Sequence, residues 1–377
     1  MPFRFIHSAD LHLGRRFGAM EEDVRARLVE ARHGVIGRLA SAARDHGASD
    51  ILIAGDLFDT ETVTPRVRQQ ALAAMEAAQD MTWWVIPGNH DSLAAEPLWD
   101  SLRVEAPCNL RLLVEAVPVS IAPGVTLLPA PVTHRSTGVD ATAWFAQAET
   151  GDGDIRLGLA HGGVQTFGSE DDRSEVIPPD RANTACLDYL ALGDWHGVRS
   201  ITPRCWYSGT PERDSFKHAG PGVCLAVTLP GPGLAPDVIQ HPVGLFDWQQ
   251  LDLTLTPEMD ALAALKLALP GDTAADRRDI LIRLRLAGRV RLPARAALMA
   301  DLAAVRHQFW SFEVDESALS VDAQPEDLDA VAESGALRLA AEALQAESGN
   351  TALAEIDRRV AASALARLHT LLQGDRP

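Results

Sequence analysis

A chain of 377 residues, 46% of them apolar, buries a sizeable core and is read as one domain of two hundred residues or more with a smaller one beside it. A formal net charge of -18 excludes a protein coated in basic residues for wrapping nucleic acid. The N-terminus shows no charged segment leading into an apolar one, and no run approaches the roughly 20 apolar residues that span a bilayer, so a cytoplasmic protein is expected.

Phe3 to His7 reads as a first strand, with His7 packed inside it, running into Ser8-Ala9-Asp10-Leu11-His12-Leu13-Gly14. Asp10 and His12, two apart at the mouth of a strand, point to one side and can share a cation. Val24, Leu28, Ala31, Val35 and Leu39 recur at helical spacing, predicting a helix from about Glu21 to His46. The next strand, Asp50 to Ala54, is continuously apolar, as suits a parallel strand covered on both faces. It ends in Gly55-Asp56-Leu57-Phe58-Asp59, where Asp56 is placed to bridge two cations and Asp59 to support the ligands by hydrogen bonding. Pro65 opens a helix to about Asp80. A third strand, Trp83 to Ile86, delivers Pro87-Gly88-Asn89-His90-Asp91.

After a variable middle the pattern resumes. Ile155 to Ala160 ends in His161-Gly162-Gly163, and Tyr189 to Leu192 ends in Gly193-Asp194-Trp195-His196. Carboxylate, amide and imidazole ligands without a thiolate suit manganese, magnesium or iron better than structural zinc. Cys108, Cys186, Cys205 and Cys224 form no C-x-x-C pair and suggest neither disulfides nor a zinc ribbon. His134, His218 and His241 lie off these strand ends and are read as structural; Trp195 is expected to pack under the site rather than stack on a base.

These motifs, D-x-H, G-D-x-x-D, G-N-H-D, H and a variant of G-H-x-H, resemble the calcineurin-like metallophosphoesterases. Within them "HSADLHLG", "GDLFD" and "YSGTPERDSF" (Tyr207 to Phe216) are most similar to the DNA repair nucleases of the SbcD and YhaO type. The resemblance spans residues 7 to 216. It implies one cation held by Asp10, His12, Asp56 and His196, and a second by Asp56, Asn89, His161 and the residue at 194. Mn2+ is the expected ion, with Mg2+ or Fe2+ as alternatives. His90, supported by Asp59 and Asp91, would act on the phosphate and the leaving oxygen. Asp194 departs from the family, which has histidine there: it either ligates as a carboxylate or has left the shell, impairing turnover. Arg15 and Arg16, after the first motif, are candidate phosphate contacts.

Gly222 to Leu229 and Asp237 to Val243 look like strands closing a second sheet. The resemblance then implies a four-layer α/β/β/α sandwich over 1–245, followed by a small α/β capping domain over 246–320 and, over 321–377, an acidic linker and C-terminal helices. In the cap, Ile282, Leu284 and Leu286 alternate with Leu281, Arg283 and Arg285, giving one buried and one arginine-bearing face. Eight arginines between 277 and 306 stand against two acids, and this segment is a candidate for facing phosphates, while twelve acids against one arginine follow over 313–357. Glu316 to Glu333 reads as a linker or exposed loop. Leu353, Ile356, Val360, Ala364, Leu368 and Leu371 form one apolar stripe of a final helix, which folds back on its own domain or docks a partner.

The reading reached is a metal-dependent phosphodiesterase acting on DNA, an exonuclease or end-processing nuclease with an SbcC-like coiled-coil ATPase partner. Related nucleases dimerise, so a homodimer is carried as an expectation that no residue here requires. The alternatives are a phosphoesterase for a small nucleotide or phosphoprotein, and a metal-holding subunit with little turnover.

Overall fold

The computed structural model describes residues 2–135, 138–165, 175–218, 220–322 and 335–374. The chain divides into two units, Met1–Asp247 and Trp248–Pro377.

In the first unit, β1 (Phe3–Ser8), β2 (Asp50–Ile53), β3 (Thr82–Val85) and β4 (Leu110–Leu112) run parallel. They alternate with helices α1 (Glu22–Asp45), α2 (Pro65–Ala77) and α3 (Glu96–Glu105). Thr64 caps α2, accepting from the Val67 amide, and Pro65 occupies the first turn, where no amide is needed. A second sheet is built from β5 (Val119–Ala122), β6 (Val125–Ala130), β7 (Ile155–His161), β10 (Tyr189–Gly193), β11 (Arg199–Thr202) and β12 (Cys205–Tyr207). Between β7 and β10 lie a short pair, β8 (Gly163–Val164) with β9 (Glu175–Ile177), and the one-turn helix α4 (Arg181–Thr184). Finally β13 (Val223–Leu229) returns antiparallel to β1, with β14 (Asp237–Pro242) outside it, so these two strands extend the first sheet and do not close the second as expected: the first has the order β14-β13-β1-β2-β3-β4 and the second β11-β12-β10-β7-β6-β5.

Strand alternation sorts the core. Ile6, Ile51, Ile53, Trp83 and Val85 pack under the helices with Val35, Leu39, Leu72 and Trp99. Their neighbours Phe5, Leu52 and Trp84 turn the other way to meet Leu127, Leu157, Leu159 and Tyr189 of the second sheet. Phe145, Ala182 and Leu187 cover that sheet's outer face. Side chains alternate with period two, so each parallel strand must be apolar on both faces and reads as a continuous apolar run. The result is the expected mixed α/β sandwich. His7 is a packed histidine, fully buried, its Nε2 donating to the Leu192 carbonyl and its Nδ1 accepting from the Tyr189 hydroxyl.

In the second unit, β15 (Asp247–Leu255), β16 (Ile280–Arg291) and β17 (Ser311–Asp322) form a sheet with β16 at its centre. Helices α5 (Ala261–Ala268) and α7 (Leu292–Val305) bury Leu265, Leu298 and Leu302 against Ile282, Leu284 and Leu286, and the short α6 (Ala274–Arg277) precedes β16. Leu281 is buried as well, although it sits on the face that the alternation assigns to arginines. Several arginines of this segment are already engaged: Arg283 with Glu313, Arg278 with Asp279, Arg295 with Glu316.

Two expectations change here. Residues 316–322 are strand, not linker: β17 continues parallel to β16 as far as Asp322, across a register shift near Arg285, because β16 supplies a full ladder whatever the side chains. The remainder of the expected linker, 323–333, lies outside the described residues. The C-terminal helices are α8 (Ala336–Gly349) and α9 (Glu355–Gly374). On α9 the residues packed with Leu292 of α7 and Ala341 of α8 are Leu365 and Ala366, with Leu368 of the expected apolar stripe half-buried beside them, whereas Ile356, Val360 and Leu371 of that stripe are about 60% exposed. Among the described residues no helix is long and apolar enough to cross a membrane.

Candidate metal centre

The C-terminal ends of β1, β2, β3, β7 and β10 converge at one edge of the sandwich, and each hands over the residues that follow it. Backbone hydrogen bonds lace these loops together: the Asp10 amide donates to the Gly55 carbonyl (3.1 Å), that of His12 to Asp56 (3.0 Å) and that of Gly162 to Gly193 (3.2 Å). Two glycines make the convergence possible. A Cβ on Gly193 would stand 2.0 Å from the Ala54 carbonyl oxygen, and one on Gly88 2.2 Å from Asp56 Oδ1.

Three overlapping groups of ligand atoms result, each within 4.8 Å: Asp10, His12 and His196; His12, Asp56 and His90; Asp10, Asp56 and His161. Asp56 sits at their centre. Its Oδ2 is 3.6 Å from His12 Nε2 and 3.6 Å from His161 Nε2, while its Oδ1 accepts from the His90 amide at 2.8 Å. Asn89 and Asp194 close the far side, the Asn89 amide donating to Asp194 Oδ1 at 3.2 Å, with the same carboxylate oxygen 3.8 Å from His161 Nε2. The Asp194 amide in turn donates to the Asp10 carboxylate at 3.1 Å. All eight residues expected to hold or serve cations are thus neighbours, including the atypical Asp194.

The donor atoms fit a pair of cations. His161 Nδ1 lies 2.8 Å from the Ala54 carbonyl, which can only accept, so the proton is on Nδ1 and the lone pair on Nε2. That Nε2 is buried without a hydrogen-bond partner, as is Asn89 Oδ1. His12 Nε2 and His196 Nε2 face one another at 3.2 Å, close enough to share a proton or to hold one cation between them. The titration tendencies have the same origin. Burial raises the Asp10 carboxyl to about 7. At His161 burial disfavours the imidazolium, yet the carboxylates of Asp56, Asp10 and Asp194 outweigh it and raise the pKa to about 9. The pocket calls for positive charge, and without metal a proton answers.

Around these ligands the structure places the remaining candidates. His90 Nδ1 donates to the Asp59 carbonyl at 2.8 Å, which leaves Nε2 for the substrate side. Asp59 Oδ1 lies 3.4 Å from His12 Nδ1. Asp91 is fully buried and works on the loops: Oδ1 accepts from the Gly88 amide at 2.7 Å and Oδ2 from the Phe58 amide at 3.0 Å. Arg15 and Arg16 line, with His90, a hollow of about 750 Å³. Arg15 is engaged there by Asp59 (3.4 Å) and Asp214 (3.2 Å), and Arg16 is exposed. Trp195 is 44% exposed instead of packed beneath the site, because it rides the tip of the turn that carries Asp194 and His196.

Sequence reasoning missed Asp214. It lies within "YSGTPERDSF", and its carboxylate meets His196 Nδ1 at 3.3 Å, orienting the ring so that Nε2 faces the cluster. Burial alone would raise its pKa; His196, Arg32 and Arg15 hold it well below the usual carboxylate range. Arg32, fully buried in α1, braces the same loop by donating to the carbonyls of Leu11, Glu212 and Arg213.

The chain is 26% identical over 230 residues to the uncharacterized metallophosphoesterase YhaO of Bacillus subtilis strain 168, covering 57% of this chain and 55% of that one. It therefore spans about half the length of the curated relative it matches. A crystal structure of TT1561 from Thermus thermophilus aligns over 64% of this chain and all of its own, with 12% identity and a TM-score of 0.42. The model of the calcineurin-like phosphoesterases matches residues 3–227, the span that contains every ligand named above, and the chain belongs to that family.

Proposed function

We propose that the protein is a metal-dependent phosphodiesterase acting on DNA, an exonuclease or end-processing nuclease working in the cytoplasm. The observation that carries the phosphodiesterase chemistry is the Asp56 carboxylate, whose Oδ2 lies 3.6 Å from the Nε2 atoms of both His12 and His161, with His90 in the same cluster. The likeness of three motifs to SbcD- and YhaO-type nucleases supports the DNA substrate.

Asp10, His12, Asp56 and His196 would hold one divalent ion, and Asp56, Asn89, His161 and Asp194 the other; Mn2+ is proposed. Bound there, such ions supply neutralisation of the phosphodiester's charge and acidification of an attacking water. The chain's own residues do the rest. Asp59 fixes the His90 ring through its carbonyl, so that Nε2 can give a proton to the leaving oxygen. Asp214 and the Ala54 carbonyl fix the rings of His196 and His161, so that the ligand atoms need no reorganisation on binding.

A small nucleotide is the second reading, favoured by a cavity of about 690 Å³ that opens on Asn89, His161 and Asp194 and is lined by apolar residues such as Val132, Val139 and Ile177 together with the polar Thr133, His134 and Arg135. A Mn2+-dependent assay on linear duplex and single-stranded DNA, beside a chromogenic phosphodiester and a nucleotide monoester, separates the readings. Hydrolysis of DNA supports the nuclease; turnover confined to the small esters refutes it. Metal binding without any turnover would leave only the cation-holding subunit. The outward Ile356, Val360 and Leu371 of α9 support a further proposal, docking of a coiled-coil ATPase, which co-purification of wild type but not of Ile356→Asp/Val360→Asp would test.

A further inference from the structure

Beside the ligand turn Asp194-Trp195-His196 lies an open groove of about 710 Å³. Its composition is unusual for a chain of net charge -18: the described lining includes Arg199, Arg213, Lys217 and His218, and no acidic residue. Arg199 and Lys217 are exposed and make no ion pair with a carboxylate among the described residues. Arg278, Arg283 and Arg295 of the second unit, by contrast, each face an acid.

The groove also holds an aromatic surface. Trp195 is 44% exposed, with the Arg199 guanidinium 5.8 Å from its ring centroid and His218 edge-on at 5.0 Å. Beyond these two contacts much of the indole stays in water, which forgoes part of a large apolar contribution unless something else covers it. Arg213 anchors the groove to the reaction centre, donating to the His196 carbonyl at 2.9 Å and to the Gly220 carbonyl at 3.1 Å. The ligand-bearing turn is therefore one wall of the groove.

We propose that this groove is the track for an unpaired DNA strand passing the metal centre, with its phosphates on Arg199 and Lys217 and a base stacked on Trp195. The inference rests on the reading of the protein as a DNA phosphodiesterase and deepens it. An unpaired strand fits better than a duplex because an indole stacks only on a base whose face is open, and stacking needs no particular sequence. Two cations with no carboxylate partner gain from a phosphate what paired cations would have to give up elsewhere.

The test is binding of a fluorescent phosphorothioate oligodeoxythymidylate by anisotropy over a salt series, using the full chain. Arg199→Gln/Lys217→Gln, two exposed positions, is expected to lower the slope of log affinity against log salt by about 1.4, at roughly 0.7 per cation lost on a single strand. Trp195→Ala is expected to weaken single-strand binding about 5- to 150-fold, while Trp195→Phe keeps most of it. If wild type binds the strand and Arg199→Gln/Lys217→Gln shows unchanged affinity and slope, the track is refuted and the nuclease reading stands. If wild type neither binds nor cleaves DNA, both fall together. The exposed pair decides the matter should Trp195→Ala fail to fold.

Discussion

Asp214→Asn isolates how the fold prepares a cation ligand. The Asp214 side chain is 2% exposed and meets His196 Nδ1 at 3.3 Å and the Arg15 guanidinium at 3.2 Å. Asparagine keeps the size and can still accept from the ring, but it removes the charge that holds the imidazole in one orientation and raises its basicity. Losing such a partner typically costs about 10- to 100-fold in metal affinity, or roughly 1.4 to 2.7 kcal/mol. The same change removes the carboxylate that most favours the charge of buried Arg32, although the two make no direct ion pair, and loss of a directly paired buried charge costs about 3 to 5 kcal/mol. Because Arg32 keeps three backbone carbonyls, the loss in stability should fall near the lower figure. Calorimetric titration of metal-stripped protein with Mn2+, beside urea unfolding without metal, measures both. An Asp214→Asn protein that folds and binds Mn2+ as tightly as wild type would show that His196 is not positioned through this carboxylate.

Four further outcomes are expected. His90→Gln should lower turnover about 10²- to 10⁴-fold at unchanged metal content, since the expected ligand atoms come from other residues; loss of metal in elemental analysis would instead make His90 a ligand. Gly193→Ala should destabilise by about 3 kcal/mol or more, read as a fall in Tm, because its Cβ would meet the Ala54 carbonyl oxygen at 2.0 Å and His161 Nδ1 at 2.8 Å. Asp194→His removes one of three carboxylates and should raise turnover with Mn2+ relative to Mg2+; an unchanged ratio would put the native carboxylate outside the shell. Burial holds His7 down at about 3 against its ordinary 6.5, so the unfolded chain takes up a proton that the folded one refuses. Stability that is fully present above pH 6.5 is then lost as pH falls towards 3, by about 2 kcal/mol at pH 5, and His7→Gln should flatten that slope in denaturant titrations.

The site was legible because of how parallel sheets are covered. A strand such as Ile51-Leu52-Ile53 must be apolar on both faces, so the polar residue that ends the run marks the sheet edge, and five such endings in order locate one cavity. What was not legible depends on distance across the fold or on a neighbour's backbone. Asp214 carries no local signal, since its role arises from a loop returning to His196. Residues 316–322 look like a linker by charge, yet the ladder offered by β16 makes them strand. On α9 the helical spacing was right but only Leu368 of the expected stripe joins the buried cluster. With Leu292 and Ala341 as the surface to cover, Leu365 and Ala366 turn inward and the larger Ile356 and Val360 outward. Trp195 shows the limit from the other direction, for an apolar residue next to two ligands gives no hint that nearly half of it stays exposed.

The ligand loops are also where the fold gives up stability. Asp10, His12, Asp56 and Asp194 all adopt positive φ (55°, 44°, 53° and 102°), a region costing a non-glycine residue on the order of 1 to 3 kcal/mol. Asp10 and Asp56 are buried carboxylates as well, and burial alone disfavours their charge. No local interaction explains why four residues of one cavity should share an unfavourable backbone, whereas the geometry requires it. A short strand must turn back within two residues to aim a carboxylate at a point it shares with four other loops. The two packed sheets beneath supply the rigidity that holds these turns, with Phe5, Leu52, Leu159 and Ala191 interlocked a few residues behind the ligands. Strain, buried negative charge and unpartnered lone pairs thus have one cause, a cavity shaped around positive charge that the polypeptide itself does not provide.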